Sequence, residues 1–470
     1  MKETIHPQEI APQQRIKDFN EVVGLYTEEE ALAEAARCLQ CKNPTCSEGC
    51  PVGIDIKKFI FQITRKEYAQ AYLTIRQKNN FPSICGRVCP AEYQCRRACV
   101  LTKKGEPFAS KNAINIHFLE RFLGDYGIKN TIDVPIRQQE HLKRCKVAVV
   151  GSGPAGLCCA GELARQGVQV TVFESLHRAG GVLCYGIPPF RLPVDILDVE
   201  IEYIKKLGVE IITDSIIGQI KTIPDLWDEG YSAIFLGLGA GVPTFLGIPG
   251  ENLCNVYSAN EFLTRVNLMN AYKFPHYATP VNIGKQMVVI GGGNTAMDAA
   301  RVALRLQSIA GYAPSVKILY RRTEIEMPAR RLEIHHAREE GIQFEFLTQP
   351  VAFKGSQGYI EKAICQRCEL GVPDSSGRRR PLAIAGSEFE IPCEGAILAV
   401  GLKANQVLLR VTPELSTDTH GDITVDPDSM QTSIPGVYAG GDIVGGEGTV
   451  IEAMGMAKKA ARAILEYLKK

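Results

Sequence analysis

Eight cysteines lie between positions 38 and 99, spaced like metal ligands rather than like a disulfide framework. They run Cys38-x2-Cys41-x4-Cys46-x3-Cys50-Pro51, then Cys85-x3-Cys89-Pro90, then Cys95-x3-Cys99. Close spacing that ends in Cys-Pro is a ligand pattern of iron–sulfur clusters, which carry one electron at a time. Zinc is the alternative, but its sites are usually built from Cys-x2-Cys pairs. Only Cys38 and Cys41 form such a pair in this region.

Two glycine loops point to a second chemistry. Gly151-Ser152-Gly153-Pro154-Ala155-Gly156 fits G-x-G-x-x-G, with the apolar strand Lys146 to Val150 before it and a helical pattern, Leu157 to Arg165, after it. Such glycines allow a tight turn and a close approach of backbone to a pyrophosphate seated on the helix N-terminus. A second strand, Val168 to Phe173, ends in Glu174, where a carboxylate can accept from both ribose hydroxyls. The second loop, Gly291-Gly292-Gly293-Asn294-Thr295-Ala296, fits G-x-G-x-x-A between the strand Met287 to Ile290 and the helix Met297 to Leu306. The strand after it, Val316 to Tyr320, ends in Arg321-Arg322 instead of an acid. A carboxylate there would repel a 2′-phosphate, whereas guanidinium groups donate charge-assisted bonds to it. The second loop is therefore expected to bind NADP(H) over NAD(H). The alternative is that the two arginines pair with Glu324 or Glu326 at a solvated surface.

The elements that must hold these groups change in texture along the chain. Thr27-x-x-Glu30 is a capping box, and Ala31, Leu32, Ala35, Ala36 and Leu39 follow at helical spacing, bringing Cys38 and Cys41 to a helix end. Phe59, Ile60, Ile63 and Tyr68 to Leu73 mark further helices between the cysteine groups. From Cys145 onward the pattern is βαβ, and it occurs twice. Gly371 to Pro381 is polar and basic and reads as an exposed loop. Cys365 and Cys368, three apart on a strand, read as structural, as do Cys158 and Cys159 on the helix after the first glycine loop. His335 and His336 show no partner pattern for a metal.

Bulk properties exclude several classes. The 470 residues suffice for two to four domains, and 45% hydrophobic content gives an ordinary core. A formal net charge of +1 argues against nucleic acid and anionic membrane as partners. No apolar run reaches the length of about 18 residues that a membrane helix needs. Met1 to Phe19 lacks a signal-peptide core, and sixteen cysteines without one point to a reducing compartment, the cytoplasm.

Near the end, Val437-Tyr438-Ala439-Gly440-Gly441-Asp442 resembles the second FAD fingerprint of two-dinucleotide-domain flavoproteins, followed by a helix from Thr449 to Leu468. Over the whole chain the cysteine pattern, "VAVVGSGPAGL", "GGVLCYGIPPFRLP", "VVIGGGNTAMDAARVALR", "YRRTEIEMPAR" and "GVYAGGDIVGGEGTVIEAMGMAKKAA" resemble the small (β) subunit of NADPH-dependent glutamate synthase. Related members are the N-terminal part of dihydropyrimidine dehydrogenase and the large subunit of electron-bifurcating NADH-dependent reduced ferredoxin:NADP+ oxidoreductase. The segment "YSANEFLTRVNLM" looks more like that bifurcating subunit.

The resemblance implies an α/β protein with two Rossmann-like dinucleotide-binding domains, the FAD domain split by the NADP domain, preceded by an α-helical iron–sulfur domain. The boundaries expected are 1–140 for the helical domain, 141–250 and 391–470 for the two FAD parts, and 251–390 for NADP(H). It implies FAD held by Gly151, Gly153, Pro154, Ala155, Gly156, Glu174 and Gly181, with Gly441, Asp442 and Thr449 from the second fingerprint. NADP(H) would be held by Gly291, Gly293, Asn294, Thr295, Arg321 and Arg322. Of two [4Fe–4S] clusters, one would use Cys38, Cys41, Cys46 and Cys99. The other would use Cys50, Cys89, Cys95 and a non-cysteine residue, for which Glu120, after Ile114-Asn115-Ile116, stands at the matching place. Cys85 is the alternative eighth ligand, although its family counterpart is not a ligand. Cys184 departs from the usual residue of "GGVLxYGIP" near the flavin.

No acid–base residue is expected, because nicotinamide and flavin supply the hydride chemistry. The expected role is an NADP(H)-dependent flavin and iron–sulfur oxidoreductase subunit, the NADP-binding large subunit of a bifurcating complex. Its partners would be ferredoxin and an NAD-binding flavin/[2Fe–2S] subunit, giving a hetero-oligomer. One alternative is the glutamate synthase small subunit with an FMN-containing large subunit; another is a non-catalytic electron relay.

Overall fold

The capping box at Thr27 forms as the sequence dictates: its side chain accepts from the Glu30 N–H, and the Glu30 carboxylate accepts from the Thr27 N–H. It starts the helix Glu28–Ala35, whose last turn leads into Cys38. The structure, a computed structural model, describes residues 4–106, 108–134, 139–374, 377–446 and 448–469. Helices Ile56–Thr64, Tyr68–Arg76, Pro82–Val88 and Ile116–Lys129 complete the cysteine-rich domain. Phe59, Ile60, Ile63, Ile75, Leu119 and Leu123 form its apolar centre. Helix Pro82–Val88 crosses Ile116–Lys129 so closely that a methyl group at Gly86 would lie 2.6 Å from the Arg121 Cα. That crossing sets the helix of Cys85, with Cys89 at its C-cap, against the helix of Glu120.

Two five-stranded parallel sheets follow. The first runs Val437–Ala439, Ala233–Leu236, Lys146–Val150, Gln169–Phe173, Glu210–Ile212. The second runs Val256–Ser258, Gly395–Leu398, Met287–Ile290, Val316–Tyr320, Gln343–Phe346. Helices cover both, so the central strands are buried on two faces and read as unbroken apolar runs. In each sheet the strand before the glycine loop stands where strand order reverses, the place where open α/β sheets bind ligands. Gly395–Leu398 pairs within the second sheet, so the chain returns to the first only beyond Leu398, by way of Leu402–Ala404 paired with Ala240–Pro243. Among the described residues no helix is long and apolar enough to cross a membrane.

Residues 371–381, expected as an exposed loop, are mostly strand. Tyr359–Pro373 and Arg379–Ala383 pair antiparallel with Glu369 opposite Leu382. Ser375 and Ser376 lie outside the described residues. An outer hairpin needs no apolar face, so its composition imitates a loop.

Buried charge joins the three regions. Arg191, from the first dinucleotide domain, bonds Asp298 at 2.5 Å and Glu333 at 3.1 Å in the second. Arg301 and Arg305 bond Glu340 at 2.7 and 2.8 Å while their guanidinium groups stack over the Phe190 ring. Arg15, from the N-terminal segment, reaches the same Glu340 at 3.2 Å.

Candidate functional site

The first cysteine group converges. Cys38, Cys41, Cys46 and Cys99 line one pocket with Ile56, Ile60, Ile114 and Ile116, around an empty volume of about 420 Å³ that is partly open to solvent. The Thr45 hydroxyl donates to the Ala98 carbonyl at 2.6 Å, which ties residues 45–46 to the segment that carries Cys99. Burial, then the neighbouring thiols of Cys99 and Cys38, push Cys46 up to about 12. Binding iron here would release those protons. Four thiols against apolar walls fit a cluster with four cysteine ligands.

A second group forms deeper in the domain. Burial raises the Cys50 thiol to about 11 and Cys95 well above its ordinary value, and contact with Cys85, then burial, does the same for Cys89; the Glu120 carboxylate adds to all three, so these groups lie together. Glu120 is 6% exposed, and burial lifts its carboxyl to about 8 despite a 2.6 Å hydrogen bond from the Asn79 amide. Cys85 has no exposure; its sulfur is 3.7 Å from Asn79 Oδ1 and 3.8 Å from Met454 Sδ, on the last helix. Arg330 and Arg96 place positive charge beside Cys89 and Cys95. Three thiols, a buried carboxylate and flanking cations suit an anionic cluster.

The first glycine loop is built for a close backbone approach. Gly153 caps the helix Pro154–Ala164, and a methyl group at Gly156 would lie 1.8 Å from the Gly151 carbonyl oxygen. Gly181 lies against Gly153, and Gly441 against Ala155. Glu174 is buried and accepts from the N–H groups of Ser152 at 2.9 Å and Leu176 at 2.8 Å. Asp442 accepts from the Gly448 N–H at 3.2 Å, and Thr449 caps the helix Val450–Tyr467. The loop, both carboxylates and that helix thus lie side by side at the C-terminal ends of the strands, where α/β sheets take dinucleotides.

In the second loop Gly293 caps the helix Asn294–Ile309, and a side chain at Gly293 would meet nothing within 4 Å. The Asn294 side-chain Oδ1 accepts from the Arg330 N–H at 2.9 Å; Thr295 follows in the first helical turn. The arginine pair is split. Arg321 is exposed, whereas Arg322 is buried and bonds Asp374 at 2.8 Å and the Arg379 carbonyl at 2.7 Å. Glu324 bonds Arg338, and Glu326 bonds Arg379.

Residues 15–132 match the family model for dihydropyrimidine dehydrogenase domain II, 4Fe-4S cluster, and residues 145–460 match pyridine nucleotide-disulphide oxidoreductase. The glutamate synthase (NADPH) small chain of Escherichia coli strain K12 is 33% identical over 96% of this chain and 94% of its own length. The chain belongs to the glutamate synthase small-chain family of pyridine nucleotide-disulphide oxidoreductases. It is an NADP(H)-dependent flavin and iron–sulfur oxidoreductase. Another relative of this small-chain homologue is the NADP(+)-dependent formate dehydrogenase subunit beta of Moorella thermoacetica, 38% identical over 90% of the chain. The chain spans 60% of that relative's length. Among solved structures, Mycobacterium tuberculosis FprA in complex with NADPH shares the fold, with a TM-score of 0.58 and 23% identity over 69% of this chain and 84% of that one.

Sequence reasoning did not single out the residues that join the small-chain homologue's sites. The Gln94 amide donates to the Thr449 hydroxyl at 3.3 Å, linking the Cys95 segment to the second fingerprint. Arg330 donates to the Arg87 carbonyl at 2.7 Å and Arg331 N–H to Glu92 at 2.9 Å, docking the second loop's neighbour on the cysteine domain. Burial, then Asp442 and Glu174, push the Tyr185 phenol up to about 12, so it stands near both carboxylates. "YRRTEIEMPAR" and "GGVLCYGIPPFRLP" contained Arg330 and Tyr185 but nothing in their spacing assigned a task. Cys184, Cys158, Cys159, Cys365 and Cys368 are buried free thiols. His336 does meet Glu9 at 2.9 Å, with Glu339 nearby. Buried Arg15 bonds both carboxylates and supplies their counter-charge, so the group is an ion-pair network.

Proposed function

We propose that the chain exchanges hydride with NADP(H) and passes single electrons between FAD and a protein partner through two [4Fe–4S] clusters. When bound, FAD supplies the conversion between hydride and single electrons, and the clusters supply one-electron carriage. Gly291, Gly293, Asn294, Thr295 and the arginine segment bind the pyridine nucleotide. Gly151, Gly153, Pro154, Ala155, Gly156, Glu174, Gly181, Gly441, Asp442 and Thr449 hold the flavin nucleotide. Cys38, Cys41, Cys46 and Cys99 ligate one cluster; Cys50, Cys89, Cys95 and Glu120 ligate the other. No residue acts as a general acid or base; the chain orients, holds phosphate and excludes water.

The observation that carries this reading is the seam between Gln94 and Thr449, which joins the second cysteine group to the flavin helix. The exposed apolar rim of the first group, Leu39 at 61% and Val100 at 52%, supports a protein partner docking there. The preferred partner is an NAD-binding flavin/[2Fe–2S] subunit acting with ferredoxin, as "YSANEFLTRVNLM" suggests. The second reading, an FMN-containing glutamate synthase large subunit, is favoured by the end-to-end match to small chains. Free cysteines throughout support a cytoplasmic location.

The test is anaerobic titration of the reconstituted holoprotein with NADPH. Bleaching of the flavin with a reduced-cluster EPR signal is expected; an unbleached flavin overturns the reading in favour of a passive relay. Mass identification of the co-purifying partner separates the two complexes by FMN or [2Fe–2S] content.

A further inference from the structure

The split of the arginine pair changes which groups face the NADP(H) ribose. Arg322 is held between Asp374 and the Arg379 carbonyl, both from the hairpin Tyr359–Pro373 and Arg379–Ala383. The hairpin tip is closed on itself: the Asp374 N–H donates to the Arg378 carbonyl at 2.8 Å, and the Arg378 N–H donates to Asp374 Oδ1 at 3.3 Å. Arg379 turns its guanidinium to Glu326 at 2.7 Å, and the Glu326 carbonyl accepts from the Tyr320 hydroxyl at 2.9 Å. Tyr320 ends the strand Val316–Tyr320 and packs on the second glycine loop, where a methyl group at Gly292 would lie 2.5 Å from its ring. The hairpin tip is thereby anchored at the ribose side of the loop by three interlocking contacts.

This anchoring brings a third arginine to the site. Burial raises the Tyr320 phenol, and the positive charges of Arg322, Arg378 and Arg321 nearby oppose the rise. Arg321 leaves the strand end beside it, and Arg378 stands in the tip between the two docked residues Asp374 and Arg379. Two guanidinium groups from separate elements match a phosphate dianion in charge.

We propose that Arg378 and Arg321 together grip the 2′-phosphate of NADP(H), and that Arg322 is a positioning residue that fixes the hairpin carrying Arg378. This rests on the second glycine loop being the NADP(H) site. Arg322 acts through Asp374, not through the ligand. Specificity for the phosphorylated cofactor then resides partly in a hairpin outside the parallel sheet.

Equilibrium binding of 2′,5′-ADP, NADP+ and NAD+ to the full holoprotein tests it. Arg378→Gln is expected to weaken 2′,5′-ADP and NADP+ by about 10- to 100-fold, the loss of a charge-assisted bond, and to leave NAD+ nearly unchanged. Arg378→Lys should recover part of the loss, and Arg380→Gln, on the adjoining strand, should bind as wild type does. Arg378→Gln binding 2′,5′-ADP as tightly as wild type, while Arg321→Gln loses it, overturns this inference and leaves the NADP(H) site intact. A wild-type protein that binds NADP+ no better than NAD+ overturns both.

Discussion

Asn79 donates a 2.6 Å hydrogen bond to Glu120, and its own carbonyl oxygen accepts from the Phe81 N–H at 2.8 Å. The amide is thus fixed at both ends and holds one carboxylate oxygen of Glu120. Cys85 stands in the same group: its sulfur touches Asn79 Oδ1 and Met454 Sδ, and its thiol neighbours Cys89 and Glu120. If Glu120 is the eighth ligand, Cys85→Ala keeps both clusters, while Glu120→Ala lowers iron from about eight atoms per chain towards about four. Iron analysis with EPR of the reduced protein checks this; iron loss in Cys85→Ala with retention in Glu120→Ala sinks it.

The seam between the last helix and the cysteine domain is tight at Gly455. A methyl group there would lie 3.1 Å from the carbonyl oxygen of Pro51, which follows Cys50. Gly455→Val should push the last helix away from the cysteine domain and slow cluster reduction several-fold, with flavin reduction by NADPH unchanged. Stopped-flow traces at flavin and cluster wavelengths separate the two events. Equal slowing of both would mean a general disturbance instead.

Acid should weaken the junction between domains. Against the cost of burial, Arg301 and then Arg305 hold Glu340 down to about 2 from its ordinary 4.5. The folded pKa is depressed, so this stability is complete above pH 4.5 and fades as pH falls towards 2. At full strength it is on the order of 3 kcal/mol. Chemical unfolding at stepped pH should show a slope across that window that is smaller in Glu340→Gln. Identical slopes in the two proteins would remove Glu340 as the cause.

Removing a buried cation from the same network should cost more than removing a surface one. Arg301 has no exposure and bonds Glu333 and Glu340, so Arg301→Ala leaves two buried carboxylates short of charge, about 3–5 kcal/mol. Lys362 pairs with Glu390 in solvent, and Lys362→Ala should stay within about 1 kcal/mol. Thermal unfolding midpoints of the two variants give the comparison directly.

Much of the scaffold was legible because its determinants are local. The strands Lys146–Val150, Met287–Ile290 and Val316–Tyr320 have the bounds read from their apolar runs. The Thr27 capping box was legible for the same reason. The strand around Cys365 and Cys368 was legible too, from its buried Ile360, Ala363 and Cys365, but its continuation through 371–381 was not, because the outer end of the hairpin is polar and exposed. Nor could Arg322 be assigned, because its partner Asp374 lies 52 residues away and is fixed only by the hairpin's docking. Gln94 and Thr449, 355 residues apart, meet for a reason held entirely in tertiary packing.

The charged junction around Glu340 also bears on whether the chain can be divided. Residues 15, 191, 301 and 340 come from three regions of the chain, yet each needs the others to keep its charge out of an apolar medium. Cutting between the helical domain and the first sheet would strand Arg15 on one piece and Glu340 on the other. Separated, each piece would keep a buried charge without its counter-charge, so the junction makes the joined chain more stable than its parts.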